Sequence, residues 1–400
     1  MDKEFYNILV CDVNVKKQGH YLSFDQYILD KFQTIETSDP QLKIFFLFNQ
    51  RAEELLPADA GIRERIFFMD DPETDTMFKR YRIVKQIKNI AEKKRIDHLL
   101  FMDLDQYQIP FFMARFSIEV SGILFRPHHR ITTSENDLAS GSKKLKRLKK
   151  IFSERLMTAG NILKNIFILN DEEGVEILNK VHQCSTFKYL PDPVFSFSSV
   201  SKKDKISIQQ KPVFRYLIFG SINERKNIVN VIRAYKLASL HFDSELVIAG
   251  PANEKYLQLL QQEISEAGLQ NSSQKKVIIK SGFVSDVQMD ELFCQSQVCL
   301  LIYKNFFGSS GVLGRAALHK LKVIGPNVGL LYQLISKYKM GITADPGSVK
   351  EIAEALLLIN EFSLNENVCH KYYVQNSPEK FIRILFDTIC NEGISVAQPV

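Results

Sequence analysis

The chain has 400 residues, of which 45% are hydrophobic and 24% charged, with a formal net charge of +6. Its length exceeds what one hydrophobic core commonly serves and predicts two domains of roughly 200 residues each. No run approaches the about 18 apolar residues of a membrane span, and the mild positive balance favours anionic partners without pointing to nucleic acid.

In chain order, "MDKEFYNILVCDV" reads as a first strand (7–13) rather than an export signal. Further strands are expected at 43–49, 65–70, 98–104, 122–127 and 165–171, with helical patterns between them such as "FKRYRIVKQIKNIAEKKR" (78–95). The prolines of "FKYLPDPVFSF" forbid a helix there. A polar, Ser/Lys-rich stretch at 198–212 reads as a linker between a domain at 1–197 and a second at 213–375. In the second domain, strands are expected at 214–221, 244–251, 275–284, 297–303, 322–326 and 341–346, and helices at 226–240, 254–267, 286–296 and 349–361. Residues 376–400 read as a C-terminal helix crossing back to the first domain. Strand–helix alternation throughout predicts two Rossmann-like, doubly wound parallel sheets facing a central cleft, an α/β chain whose ligands sit at strand C-termini. Cys11, Cys184, Cys294, Cys299, Cys369 and Cys390 form no CxxC pair and no disulfide framework, which predicts reduced thiols.

The loops at those strand ends carry the chemistry. Gly19 follows the first strand, where a glycine admits close approach of a ligand to the backbone. In "FGSINERKNIVNVIRAY", Gly220 ends a strand, and Arg225 and Lys226 stand at a helix start, where two cations call for an anion between them. "NFFGSSGVLGRAAL" adds Ser309, Ser310 and Gly311, small residues with several N–H donors ahead of an apolar helix. "SGILFRPHHRI" brings Arg126, His128 and His129 to the end of a first-domain strand, and "MDLDQY" brings Asp103 and Asp105. Histidine polarises or orients a reacting group near neutral pH, whereas a two-residue Asp-x-Asp reads as strand-end acids before it reads as a metal site. The basic segment 142–165 has Lys or Arg at six of the eight residues from 143 to 150. Leu145, Leu148, Phe152, Leu156, Ala159 and Leu163 recur at steps of three or four, which makes one helical face apolar. Such a helix can pack its stripe on the sheet with its lysines solvated, or lie on an anionic membrane surface, and the two readings are compatible.

Over 214–360 the sequence resembles the donor domain of retaining glycosyltransferases of the GT-B fold, family 4, also called glycosyl transferases group 1. "FGSINERKNIVNVIRAY" is similar to that group's Gly-x-x-x-x-Arg-Lys-Asn segment, and "FFGSSGVLGRAALHKLKVIGPNVGLLYQLI" to its signature region. The resemblance implies that Arg225 and Lys226 bind the donor diphosphate and that Phe283 and Val284 lie beside the nucleotide base. It is looser in the first half, where Gly19 matches a glycine loop near the donor and "FRPHHR" an acceptor-side loop whose His128 positions the reacting sugar or hydroxyl. Typical members carry two glutamates where this chain has Phe307 and Arg315, so Arg315 is expected to reach phosphate instead. The implied reaction is transfer of a sugar from a nucleotide-diphosphate sugar, a substrate rather than a cofactor, to a glycan or lipid-linked acceptor with retention. Neither metal nor nucleic acid is expected. The implied setting is cytoplasmic, at the inner face of a bacterial membrane, in surface-polysaccharide synthesis. The alternatives are a catalytically inactive GT-B protein that binds a nucleotide sugar, glycan or partner protein, and a sugar-nucleotide epimerase.

Overall fold

Alternating burial organises both halves of the chain. The computed structural model describes residues 5–14, 20–55, 60–70, 76–130, 141–159, 162–195, 213–270, 272, 274–306 and 308–394. They form two units, 1–191 with 378–400, and 192–377.

The first unit contains β1 (Tyr6–Asp12), β2 (Leu42–Asn49), β3 (Ile66–Met69), β4 (His98–Phe101), β5 (Glu119–Leu124), β6 (Asn165–Leu169) and β7 (Phe187–Leu190). They lie in the order β3-β2-β1-β4-β5-β6-β7 with every pairing parallel. β7 was not expected: four residues ahead of a proline give too short an apolar run to register, and the strand is recruited by its parallel pairing with β6. Helix Pro378–Ile394 belongs to this unit, with Phe381 packed 5.3 Å from Phe24 and Tyr27 Oη donating to Glu379 Oε1 at 2.8 Å. Proline at its first turn removes an N–H that a helix leaves unpaired anyway.

The second unit contains β8 (Phe214–Phe219), β9 (Ser244–Gly250), β10 (Lys275–Ser281), β11 (Val298–Leu300), β12 (Lys322–Pro326) and β13 (Gly341–Ala344) in the order β10-β9-β8-β11-β12-β13, again all parallel. Both faces of this sheet are covered. Tyr216 and Ile218 of β8 and Leu246 and Ile248 of β9 enter one core, while Leu217, Val247 and Ala249 enter the other. Period-2 alternation with both faces apolar is what a sheet layered between helices requires. The second unit begins earlier than the expected boundary, because Val194 is buried in its core and its N–H donates to Asn376 O at 2.8 Å. The expected linker at 198–212 lies outside the described residues.

Both sheets reverse strand order beside their first strand. In the second unit that reversal puts the C-terminal ends of β8 and β11 next to each other. Such a switch point opens a crevice at the carboxyl ends of the strands, so the loops after β8 and β11 are where a ligand is expected.

Candidate functional site

After β8 the chain turns through Gly220 at φ 95°, a conformation that excludes most side chains, then runs into a 3-10 turn, Glu224–Lys226. Asn227 follows in the left-handed region, and helix Ile228–Leu237 starts only then. The helix expected over 226–240 is therefore broken just where its cations stand. Asn227 Nδ2 fixes the break by donating to Pro346 O at 2.7 Å. β11 is likewise shorter than the expected strand at 297–303, because after Leu301, whose N–H still donates to Ile324 O at 2.8 Å, the chain leaves the sheet toward the same turn. Lys304 N donates to Arg225 O at 2.8 Å and ties the two loops together.

Between them lies Lys226. Its side chain is buried, its ammonium donates to Phe219 O and, at 3.1 Å, to Tyr303 Oη, and it sits 4.6 Å from the Tyr303 ring centroid. The Ser310 side chain lies beside the same Tyr303 hydroxyl. The Arg225 guanidinium carbon lies 4.9 Å from the Phe306 ring centroid and 5.7 Å from that of Tyr303, so one aromatic pair carries both cations. Burial, helped by repulsion from Arg225, pushes Lys226 down to about 7. A Cβ on Gly220 would stand 3.3 Å from Lys226 Nζ, so the glycine keeps the approach to the amine clear of a side chain. The neighbouring turn is equally tight, since a Cβ on Gly250, at φ 143°, would fall 2.4 Å from Gly220 O.

The second loop supplies the amide side. Ser310 caps helix Gly311–Leu318 at φ 63°, ψ 108°, and Ser309 is buried with its hydroxyl donating to Asp192 Oδ2 at 2.5 Å. The amides of Gly311 and Val312 open that helix at the positive end of its dipole, while Leu313 N donates to Ser310 O at 2.9 Å. Sequence reasoning thus brought together Gly220, Arg225, Lys226, Ser310 and Gly311. It assigned to Ser309 an anion contact, whereas the hydroxyl is spent on Asp192. Arg315 lies one turn further on with its guanidinium 3.7 Å from Asp290 Oδ1. Phe307, the other position of interest in this region, lies outside the described residues. Phe283 is 61% exposed, while Val284 packs on the core. A reciprocal cap between Ser285 and Gln288 anchors their loop, with Ser285 N donating to Gln288 Oε1 at 3.0 Å and Gln288 N to Ser285 Oγ at 3.3 Å.

In the first unit, Gly19 lies outside the described residues. His128 is buried in a 3-10 turn, His128–Arg130, with its Nδ1 against Glu154 Oε2. Its imidazole is committed to a carboxylate in the protein interior rather than presented to a reacting hydroxyl at the surface. Next to it, Asp171 accepts from Arg130 Nε at 2.6 Å and faces His129 Nε2 at 2.9 Å. Burial alone would raise this carboxyl, but Arg130 and His129 hold it down to about 2. Asp105 Oδ1 accepts the N–H groups of Phe125 and Arg126 at 3.1 Å each, and Asp103 Oδ1 accepts Asp105 N at 2.9 Å. These acids pin the loop after β5.

The basic segment forms helix Gly141–Thr158, but its apolar stripe faces away from the core: Leu145, Leu148 and Phe152 are 53%, 54% and 60% exposed. Among the described side chains of this helix, Ser153, Glu154 and Met157 are the buried ones. The packing of that stripe on the sheet, one of the two sequence readings, is overturned for these three residues. Among the described residues, no helix is long and apolar enough to cross a membrane.

Tyr303, Asp192 and Asp290 were not singled out from sequence. Tyr303 looked like the end of a strand, and nothing local signals a hydroxyl that meets an amine from a distant loop.

Comparison with known proteins extends the geometry. Residues 214–360 match the family model described as Glycosyl transferases group 1. No curated protein matches the chain. Among solved structures, sucrose-phosphate synthase from Thermosynechococcus elongatus aligns over 98% of this chain and 100% of its own, at TM-score 0.71 and 11% identity. The lipopolysaccharide outer core galactosyltransferase WaaB aligns over 96% and 99%, at 0.65 and 12%. Anabaena HepE, in complex with UDP and glucose, aligns over 96% and 100%, at 0.62 and 14%. At these identities the likeness concerns the fold, and it spans both units. The chain has the GT-B fold, and its likeness to the glycosyl transferases group 1 family model covers residues 214–360.

Proposed function

We propose that this protein is a glycosyltransferase that moves a sugar from a nucleotide-diphosphate sugar to a glycan or lipid-linked acceptor, with the anomeric configuration retained. The observation that carries the reading is the convergence of Arg225, Lys226, Tyr303 and Ser310 at the β8/β11 switch point. As the bond from the anomeric carbon to the diphosphate breaks, negative charge collects on the leaving group. Positive charge and amide N–H groups already in place there lower the barrier without reorganising. Lys226 and Arg225 supply the charge, and Ser310 with the Gly311 and Val312 amides supplies the donors. Because these groups neutralise the diphosphate, the transfer itself is proposed to need no metal ion.

Phe283, exposed beside an anchored loop, offers a face on which the nucleotide base stacks. HepE, whose structures hold UDP and UDP-glucose, makes UDP-glucose the natural first probe. The outward apolar stripe on a lysine-rich helix supports docking on anionic lipid from the cytoplasmic side, where a lipid-linked acceptor of surface polysaccharide is reached.

The test is donor consumption by full-length protein. Lys226→Ala is expected to lower transfer by about 100-fold or more, in line with loss of a charge-stabilising donor. Near-normal turnover in that variant sinks the reading. The binding-only alternative is favoured by one feature, the placement of Arg315 against Asp290 where relatives are expected to carry a carboxylate. Calorimetric binding of a nucleotide sugar with no turnover on any acceptor would select it.

A further inference from the structure

Three side chains in the first unit converge on a single point that the transfer reaction does not use. His128 Nδ1, from the turn after β5, meets Glu154 Oε2, from helix Gly141–Thr158. His182 Nε2, from the last turn of helix Glu172–His182, lies 3.5 Å from the same oxygen. The three donor atoms all fall within 4.8 Å of one another, and the side chains are 5%, 0% and 2% exposed. From this geometry we propose that His128, Glu154 and His182 bind a divalent transition-metal ion of the zinc class, which pins the loop after β5 to the two helices.

Hydrogen bonding leaves this cluster incomplete. A proton on His128 joins that imidazole to the carboxylate, but His182 Nε2, fully buried, has only its 3.5 Å approach to the same oxygen and makes no hydrogen bond among the described residues. An unpaired buried polar atom is costly. One cation satisfies all three donors at once. Two imidazole nitrogens and one carboxylate oxygen are a zinc ligand set, with bonds of about 2.0–2.2 Å. Tetrahedral bonds of that length separate ligand atoms by roughly 3.3–3.6 Å, and His182 Nε2 already stands at that distance from Glu154 Oε2. The His128–Glu154 contact opens to the same spacing when the ion enters.

The surroundings fit. The His128 and His182 rings are perpendicular, 87° apart with centroids 5.7 Å from each other, so their lone pairs meet without the rings stacking. Glu154 Oε1 accepts His128 N at 2.8 Å, which orients the carboxylate so that Oε2 faces the site. Phe187 covers His182, with ring centroids 5.6 Å apart. Water completes the fourth position. Both imidazoles bind as neutral ligands and the carboxylate as an anion, so one of the ion's two charges neutralises the buried Glu154. The ion holds a turn in place; the leaving diphosphate is held by the second unit.

Cobalt(II) is the probe. Full-length protein is stripped with EDTA, desalted and titrated with Co²⁺ while the visible d–d absorption of a tetrahedral centre is followed. The expected result is saturation at one equivalent, with His182→Gln weakening Co²⁺ binding by about 100-fold or more and leaving the far-ultraviolet dichroism unchanged. Asp39→Asn, in the turn before β2, is expected to leave the titration unaltered. If His182→Gln does not fold, cobalt-edge X-ray absorption on the wild-type protein counts the imidazole ligands, and two are expected. Absence of the absorption in the wild type, an unchanged titration in folded His182→Gln, or fewer than two coordinated imidazoles overturns the proposal.

Discussion

Lys226 offers the sharpest test because its burial and its proposed task pull its charge in opposite directions. Moving from 10.5 to about 7 corresponds to on the order of 5 kcal/mol by which the folded protein disfavours the ammonium form. A diphosphate beside Nζ returns that charge, so binding takes up a proton wherever free Lys226 is neutral. If only the ammonium form accepts the anion, affinity for UDP-glucose drops about 50-fold between pH 7 and pH 9. Folding is linked to the same group. Between about 7 and 10.5 the unfolded chain holds a proton that native Lys226 has released, so this residue makes stability rise with pH across that window. The slope reaches at most about 1.4 kcal/mol per pH unit, and below the window both states are protonated and the slope vanishes. Calorimetry at pH 8.5 in buffers of different ionisation heat counts the protons taken up, and urea denaturation from pH 6 to 9 reads the slope. Lys226→Met should abolish the uptake and flatten the stability profile relative to the wild type. Proton-neutral binding together with a pH profile that the Met variant shares would refute the reasoning.

Four further outcomes are expected. Gly250→Ala brings a Cβ to 2.4 Å from Gly220 O in a backbone region closed to side chains, and urea denaturation should record a loss of about 2 kcal/mol or more; an unchanged midpoint contradicts the close approach. Asp105→Ala leaves the Phe125 and Arg126 amides without their acceptor and should cost about 1–3 kcal/mol, read by the same method. Phe283→Ala should weaken UDP-glucose binding by about 1–3 kcal/mol without lowering thermal stability, since the ring is mostly exposed; unaltered affinity removes the stacking assignment. Leu148→Glu combined with Phe152→Glu should abolish co-sedimentation with phosphatidylserine vesicles while leaving donor binding intact, and wild-type sedimentation should fall as salt rises. Equal sedimentation of variant and wild type would assign those residues another role.

The fold was legible because most βα units print their own period. Runs such as "NILVCDV" and "SELVIAGP" stand apart from helical patterns, and parallel sheets covered on both faces make those runs nearly continuous. β7 escaped because "FKYL" is short and its proline neighbours speak louder than its pairing with β6. In the site, Arg225, Lys226 and the Ser310 corner were legible as cations and amides at helix starts, which local sequence encodes. Tyr303 was not, because its meaning comes from the reversal of strand order that sets β11 beside β8. The helix Gly141–Thr158 shows the opposite failure. Its period marks a helix correctly but does not say which face turns inward, and here the core accepts Glu154 while Leu145 and Leu148 remain outside. Glu154 goes in because His128 and His182 meet it there, two residues from loops and helices far along the chain. Arg315 follows the same logic, since Asp290 comes from a different helix.

The most direct measurement is a crystal structure of the full-length protein with UDP. The account predicts the diphosphate between the Arg225 guanidinium and the Lys226 ammonium, with oxygens in hydrogen-bond range of Ser310 and of the Gly311 amide. A diphosphate bound elsewhere, with Lys226 still donating to Phe219 O and Tyr303 Oη and no anion oxygen near it, would contradict the account.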